Sequence, residues 1–312
     1  SKVKNNPDNV NALLELAKAY DEIEAFNKAV RCYEELLKKG YADDDGLVRY
    51  RLGKVLFELR RYSDARECLK KCVETTTYYS NTLSLRGQIF LEEGKPREAY
   101  ELLLEALKIN SDDYYTTLYM GNACYRLKNY DEAIKYLTKY ENKTDEGTTH
   151  LIYLGLAEMQ CRKYEMSKSH LIKAIKVYPT FEGYFYLGQL LAAMSSYDKS
   201  AKAYQQSLKY DKNNVEVLKR LTDVALCAHN YELCLAVLKE LDKYEPNMIG
   251  LEQRRGMACM LSGENQKAIV FMKKELHVPE EEYYDWYEMA PPVGRASLMA
   301  HIAVCSMRMG NI

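Results

Sequence analysis

The stretch Tyr115–Tyr140, YTTLYMGNACYRLKNYDEAIKYLTKY, decides the fold. It carries Gly121 in its first half, Tyr130 in the middle, and Ala133 and Leu137 in its second half. Each of these four positions recurs along the chain. Gly53, Gly87, Gly121 and Gly155 are spaced by 34 residues; Gly188 follows after 33 and Gly256 after a further 68, two repeats, with Thr222 at the intervening position. Twelve positions after the glycine stands a small residue: Ala65, Ala99, Ala133, Ser167, Ser200, Cys234 and Ala268. Four positions later comes a large one: Leu69, Leu103, Leu137, Leu171, Tyr204, Leu238 and Met272. An earlier repeat fits with Ala17, Ala29 and Tyr33. An aromatic column runs through Phe26, Tyr62, Tyr130, Tyr164, Tyr197 and Tyr231, broken by Pro96 and Asn265. A period near 34 marks a stack of helix pairs that no single pair could stabilise alone.

A glycine inside a helix costs about 1 kcal/mol relative to alanine. A column of them therefore implies a close approach in every unit. The sequence predicts that the small residue of the second helix meets the glycine at the crossing, and that the large residue fills the space toward the next repeat.

These columns resemble the tetratricopeptide repeat. That family has Leu-Gly at positions 7 and 8, Tyr at 11, Ala at 20, an aromatic at 24, Ala at 27 and Pro at 32. Leu-Gly stands at Leu52-Gly53, Leu154-Gly155 and Leu187-Gly188, and the position-32 proline at Pro179 and Pro246. Position 27 departs from the pattern at Tyr140 and Glu275. The resemblance covers residues 10–282 as eight repeats, starting near Val10, Gly46, Ser80, Tyr114, Thr148, Phe181, Val215 and Ile249. It implies an all-α, right-handed superhelical solenoid of helix hairpins. Residues 1–9 read as the tail of an upstream repeat, 283–295 as an insertion between repeats, and 296–312 as the first helix of a ninth repeat. The chain is thus expected to be a piece of a longer solenoid, since neither end shows a polar capping helix.

Composition narrows the function. The 312 residues hold no 18-residue apolar run, so no membrane span is expected. A net charge of −1 gives no field to gather nucleic acid. Nine cysteines lie within helical patterns, which suits a reducing compartment, cytoplasmic or nuclear. No phosphate-binding loop, dinucleotide loop or alternating strand–helix pattern is present, and the five histidines are far apart. No enzyme, cofactor or metal is expected. Cys68 and Cys72, one helical turn apart, read as core side chains rather than a metal or redox pair, because a tetrahedral site needs four ligands. The basic cluster Arg60, Arg61, Arg66, Lys70 and Lys71 reads as a solvated face.

The resemblance also implies where function lies. In such solenoids the concave surface is lined by the first helix of each repeat, at positions 2, 5, 9 and 12. Repeat one offers a polar set there. Repeat four offers Tyr115, Leu118, Asn122 and Tyr125. Repeat five offers Thr149, Ile152, Leu156 and Met159, and repeat six Glu182, Phe185, Gln189 and Ala192. An apolar, aromatic groove with amide side chains suits a peptide or partner protein carrying apolar anchors. Some members of the family grip the C-terminal carboxylate of heat-shock proteins with Lys, Asn and Arg. On repeats four to six the corresponding positions hold Leu118, Asn122, Tyr153, Glu182 and Tyr186, so that clamp is not expected. Tyr283, Tyr284, Trp286 and Tyr287, set among acidic residues, are expected either to cap the neighbouring repeat or to form a second partner patch. The function implied is a non-catalytic protein-interaction scaffold within a multiprotein assembly. The alternative is a docking arm attached to a catalytic domain outside this sequence.

Overall fold

A computed structural model describes residues 10–41, 43–141, 148–246, 248–279 and 294–310. Contacts divide the chain into two compact units, 1–146 and 147–312.

The first unit contains four hairpins: α1 (Val10–Glu22) with α2 (Phe26–Lys38), α3 (Leu47–Glu58) with α4 (Tyr62–Leu69), α5 (Tyr79–Glu92) with α6 (Pro96–Ile109), and α7 (Tyr114–Arg126) with α8 (Tyr130–Glu141). The second contains four more, followed by a lone helix: α9 (Thr149–Gln160) with α10 (Tyr164–Val177), α11 (Phe181–Ala193) with α12 (Tyr197–Ser207), α13 (Val215–Cys227) with α14 (Tyr231–Tyr244), α15 (Leu251–Leu261) with α16 (Asn265–Glu275), and then α17 (Arg295–Arg308). Among the described residues every regular element is a helix. Each hairpin packs on itself and on the next within its unit. The predicted tail 1–9, most of the predicted insertion 283–295, and with it Tyr283, Tyr284, Trp286 and Tyr287, lie outside the described residues.

The aromatic column turns out to mark a boundary. Phe26, Tyr62, Pro96, Tyr130, Tyr164, Tyr197, Tyr231 and Asn265 are the first residues of the eight second helices. Pro96 is tolerated there because the first turn of a helix leaves its N–H groups unbonded anyway. Two residues earlier a further column appears. Glu24, Arg60, Gly94, Lys128, Arg162, Ser195, His229 and Gly263 all have φ between 55° and 88°. This left-handed residue reverses the chain between the paired helices. Only two of the eight are glycine, so no residue type announces the column.

The glycine column does what was expected, but against a different neighbour. A Cβ on Gly121 would lie 2.6 Å from Cγ of Leu137; on Gly155, 2.9 Å from Cγ of Leu171; on Gly188, 2.7 Å from the Tyr204 ring. The large residue of the second helix therefore packs over the glycine of its own repeat. Where that residue is a tyrosine it also reaches the next hairpin, Tyr33 toward Arg51 and Tyr204 toward Arg220. The small residue meets the glycine's carbonyl: Ser167 Oγ donates to Gly155 O at 2.6 Å and Ser200 Oγ to Gly188 O at 2.7 Å. Leu137, Leu171 and Tyr204 are at most 1% exposed.

Polar caps begin several helices. Asp113, Thr180, Asn214 and Asn230 accept backbone N–H groups at the starts of α7, α11, α13 and α14. The position-27 departure at Glu275 has the same explanation. Its buried carboxylate accepts from the N–H groups of Gly250 and Gln253, at the start of the first helix of its own hairpin, α15. Cys68 and Cys72 point their thiols at the carbonyls of Arg49 and Gly46, 3.6 and 3.7 Å away, and burial pushes the Cys68 thiol up to about 12. Both therefore act as packing side chains.

Candidate functional site

The first helices α3, α5 and α7 of the first unit share a cleft of about 310 Å³. From α3 come Tyr50, Lys54, Phe57 and Glu58; from α5, Asn81, Ser84, Leu85 and Gln88; from α7 and its cap, Asp113, Tyr115 and Tyr119. Periodicity explains the grouping. Residues 50, 54 and 57 stand on one helical stripe, as do 81, 84, 85 and 88. The glycine columns bring the second helices close behind, and the first helices pack side by side in front.

Tyrosine dominates one end of the cleft. Tyr50 stacks on Tyr78 with ring centroids 5.5 Å apart, and Tyr115 lies against Tyr114 at 4.2 Å. Tyr114 in turn meets Tyr140 at 5.9 Å. Burial raises the Tyr119 hydroxyl above the ordinary phenol range, with Tyr115, Tyr50, Tyr140 and Asp113 adding to the shift. Burial likewise raises Tyr50, with the Asp113 carboxylate next in effect. The phenols therefore stay neutral at physiological pH. Asp113 is fixed by its cap. Its Oδ1 accepts from Tyr115 N at 3.1 Å, and its Oδ2 from Thr116 Oγ1. Thr116 Oγ1 also lies 2.8 Å from Ser84 Oγ, which ties α7 to α5 beneath the cleft. The side-chain amides of Asn81 and Gln88 supply donors and acceptors along α5. Asn81 is exposed and Gln88 half-buried.

The residues singled out from sequence divide between the two units. Tyr115, Leu118, Asn122 and Tyr125 lie on α7 of the first; Ile152, Leu156 and Met159 lie on α9, and Glu182, Phe185 and Gln189 on α11, of the second. Tyr115 is 48% exposed and lines the cleft. Asn122 accepts from Arg126 Nε at 2.9 Å, and Tyr125 packs on Tyr130, 5.8 Å away, at the turn of its own hairpin. Leu118, Ile152, Met159 and Gln189 are half-buried, and Glu182 is exposed. Leu156 is a correction: at 4% exposure it belongs to the core, because position 9 of that helix is covered by packing. Phe185 is partly buried against the core of its unit, with Phe181 stacked on it at 5.6 Å and the Arg220 guanidinium over its face.

The cleft residues absent from the sequence reading were partly legible. Tyr50, Lys54 and Phe57 hold positions 5, 9 and 12 of repeat two, and Asn81, Ser84 and Gln88 positions 2, 5 and 9 of repeat three. The same columns, read two repeats earlier, name them. Asp113 stands outside those columns, and only its capping role carries it into the site. Among the described residues no group of three or more His, Cys, Asp or Glu could hold a metal, and no helix is long and apolar enough to cross a membrane.

Comparison with known proteins gives the same architecture. Models of the tetratricopeptide repeat match residues 14–75 and 90–147. The C-terminal part of a TPR repeat-containing protein from Cytophaga hutchinsonii is similar in structure, with a TM-score of 0.55 and 16% identity over 77% of this chain and 98% of that one. MamA from Desulfovibrio magneticus RS-1, residue 41 to its end, gives a TM-score of 0.49 and 17% identity over 53% of this chain and 94% of that one. No curated protein matches the chain in sequence. With the glycine, small-residue and hairpin-turn columns repeated through both units, this chain is a tetratricopeptide-repeat protein.

Proposed function

We propose that this protein is an interaction scaffold that holds an extended peptide segment of a partner in the cleft formed by α3, α5 and α7. One observation carries the reading. The cleft joins tyrosine and phenylalanine faces to a row of side-chain amides on the middle helix. Aromatic side chains contribute most of the energy at such surfaces, and amides can pair with a peptide backbone whatever its sequence. The neighbouring structures support the fold and leave the partner open. The carboxylate clamp is absent here too. The corresponding positions hold Tyr50, Lys54, Leu85, Tyr115 and Tyr119, which offer one cation in place of several. Membership of a multiprotein assembly is part of the same proposal, since a scaffold of this kind acts by bringing partners together.

The test is a random twelve-residue peptide library displayed on phage and panned on the immobilised chain. Enriched peptides are then titrated by fluorescence anisotropy against the wild type and an Asn81→Ala/Gln88→Ala variant. Both side chains are at least partly exposed, so the fold should be untouched. Affinity should drop by about tenfold or more, equivalent to about 1.4 kcal/mol. No enrichment, or an unchanged affinity, would place the function elsewhere.

A further inference from the structure

The tyrosine end of the cleft has the composition of a cation cage. Tyr50 and Tyr115 line the cleft with their rings, Tyr119 is in electrostatic reach of both, and Asp113 is close to all three. Ring faces attract a cation through their quadrupole, most strongly where water is displaced. Asp113 supplies the counter-charge. It forms no ion pair among the described residues, and its carboxylate accepts from a backbone N–H and a hydroxyl, one on each oxygen. A carboxylate accepts at about four lone-pair positions, so a lone pair on each oxygen stays open for a further donor. Charge over the whole cleft points the same way: two carboxylates, Asp113 and Glu58, face one ammonium, Lys54. Lys54 is exposed and forms no ion pair among the described residues, so it does not occupy the cage from within.

We infer that the anchor residue of the bound peptide is an arginine, its guanidinium held between the faces of Tyr50 and Tyr115 and paired with Asp113. This rests on the peptide-groove reading above and deepens it. Arginine fits better than lysine for two reasons. Its planar head stacks on aromatic faces, and its fork of N–H donors matches a carboxylate in two parallel bonds. A fixed carboxylate suits that geometry, and the capping bonds of Asp113 fix it.

Four twelve-residue display libraries, identical except for a central Arg, Lys, Leu or Glu, distinguish the possibilities. They are panned on the wild type, on Asp113→Asn and on Tyr115→Leu. Asparagine caps a helix as well as aspartate does, so α7 should keep its start; circular dichroism melts check both variants. The Arg library should be enriched at least about tenfold over the Leu and Glu libraries on the wild type, and over the Lys library by a smaller margin. That preference should vanish on Asp113→Asn and shrink on Tyr115→Leu. Equal enrichment of all four libraries would leave the peptide groove standing and overturn the arginine anchor. So would a preference for Glu or Lys, or an Arg preference that survives Asp113→Asn. Failure of every library to enrich would overturn the groove and the anchor together.

Discussion

At residue scale the fold turns on one contact, the large side chain over the glycine sixteen positions earlier. Gly121→Ala should raise helix propensity by about 1 kcal/mol. It should also drive a methyl into Leu137, and overpacking of this kind costs about 1–3 kcal/mol. We expect net destabilisation in urea unfolding. Leu137→Ala alone should cost about 2–5 kcal/mol. The double variant should lose less than the sum of the two, because removing Leu137 makes room for the new methyl. Strict additivity would show that Leu137 is not the obstacle. The columns were visible in sequence because each is a constraint on side-chain size. Which residue meets the glycine was not, since both the small and the large column lie on the second helix and spacing alone does not say which one faces the crossing. The left-handed column was invisible for a further reason. Glu24, Gly94, Ser195 and His229 satisfy a backbone need and share no side-chain property.

Polar side chains between elements were also unreadable from the columns. Arg254 of α15 is fully buried, and its Nε donates to Asp223 Oδ1 of α13 at 2.8 Å. Read as positions 6 and 9 of neighbouring first helices, both residues would have been assigned to solvent or to a ligand. Their role is to pair with each other. Asp223→Asn should therefore remove a hydrogen-bonded counter-charge from a buried guanidinium and destabilise the second unit by up to about 3–5 kcal/mol. An Asp223→Leu/Arg254→Met double replacement should recover most of what Asp223→Leu alone loses, because an apolar pair carries no stranded charge. Urea unfolding of the three variants decides the matter. If the single and double losses are equal, the ion pair is not the source. Glu275 shows the same kind of lesson. A position-27 side chain that breaks the small-residue pattern does so to cap the first helix of its own hairpin, which a pattern of sizes does not reveal.

For the whole molecule, the division into two units has a direct consequence for dissection. Repeat arrays gain stability from each unit and from its neighbours alone. Residues 1–146 and residues 147–312, produced separately, should each give a helical circular dichroism spectrum and a cooperative urea transition. Loss of helicity in either piece would refute this. The cleft proposed to hold a peptide lies within the first unit, so that piece should bind with the affinity of the full chain. Sequence alone placed a groove on the first helices, and its composition of aromatics and amides was expected. Its location was not, because exposure depends on how far neighbouring first helices splay, which no column records. The contact between each glycine and the side chain sixteen residues later has one more consequence. Nearly all the stabilising contacts join segments close along the chain, so forming one hairpin closes only a short loop. Each unit should therefore assemble rapidly, in milliseconds or less. Held at its ends and stretched, it should yield in a series of small, hairpin-sized extensions at low force, since no single layer of bonds carries the load for the rest.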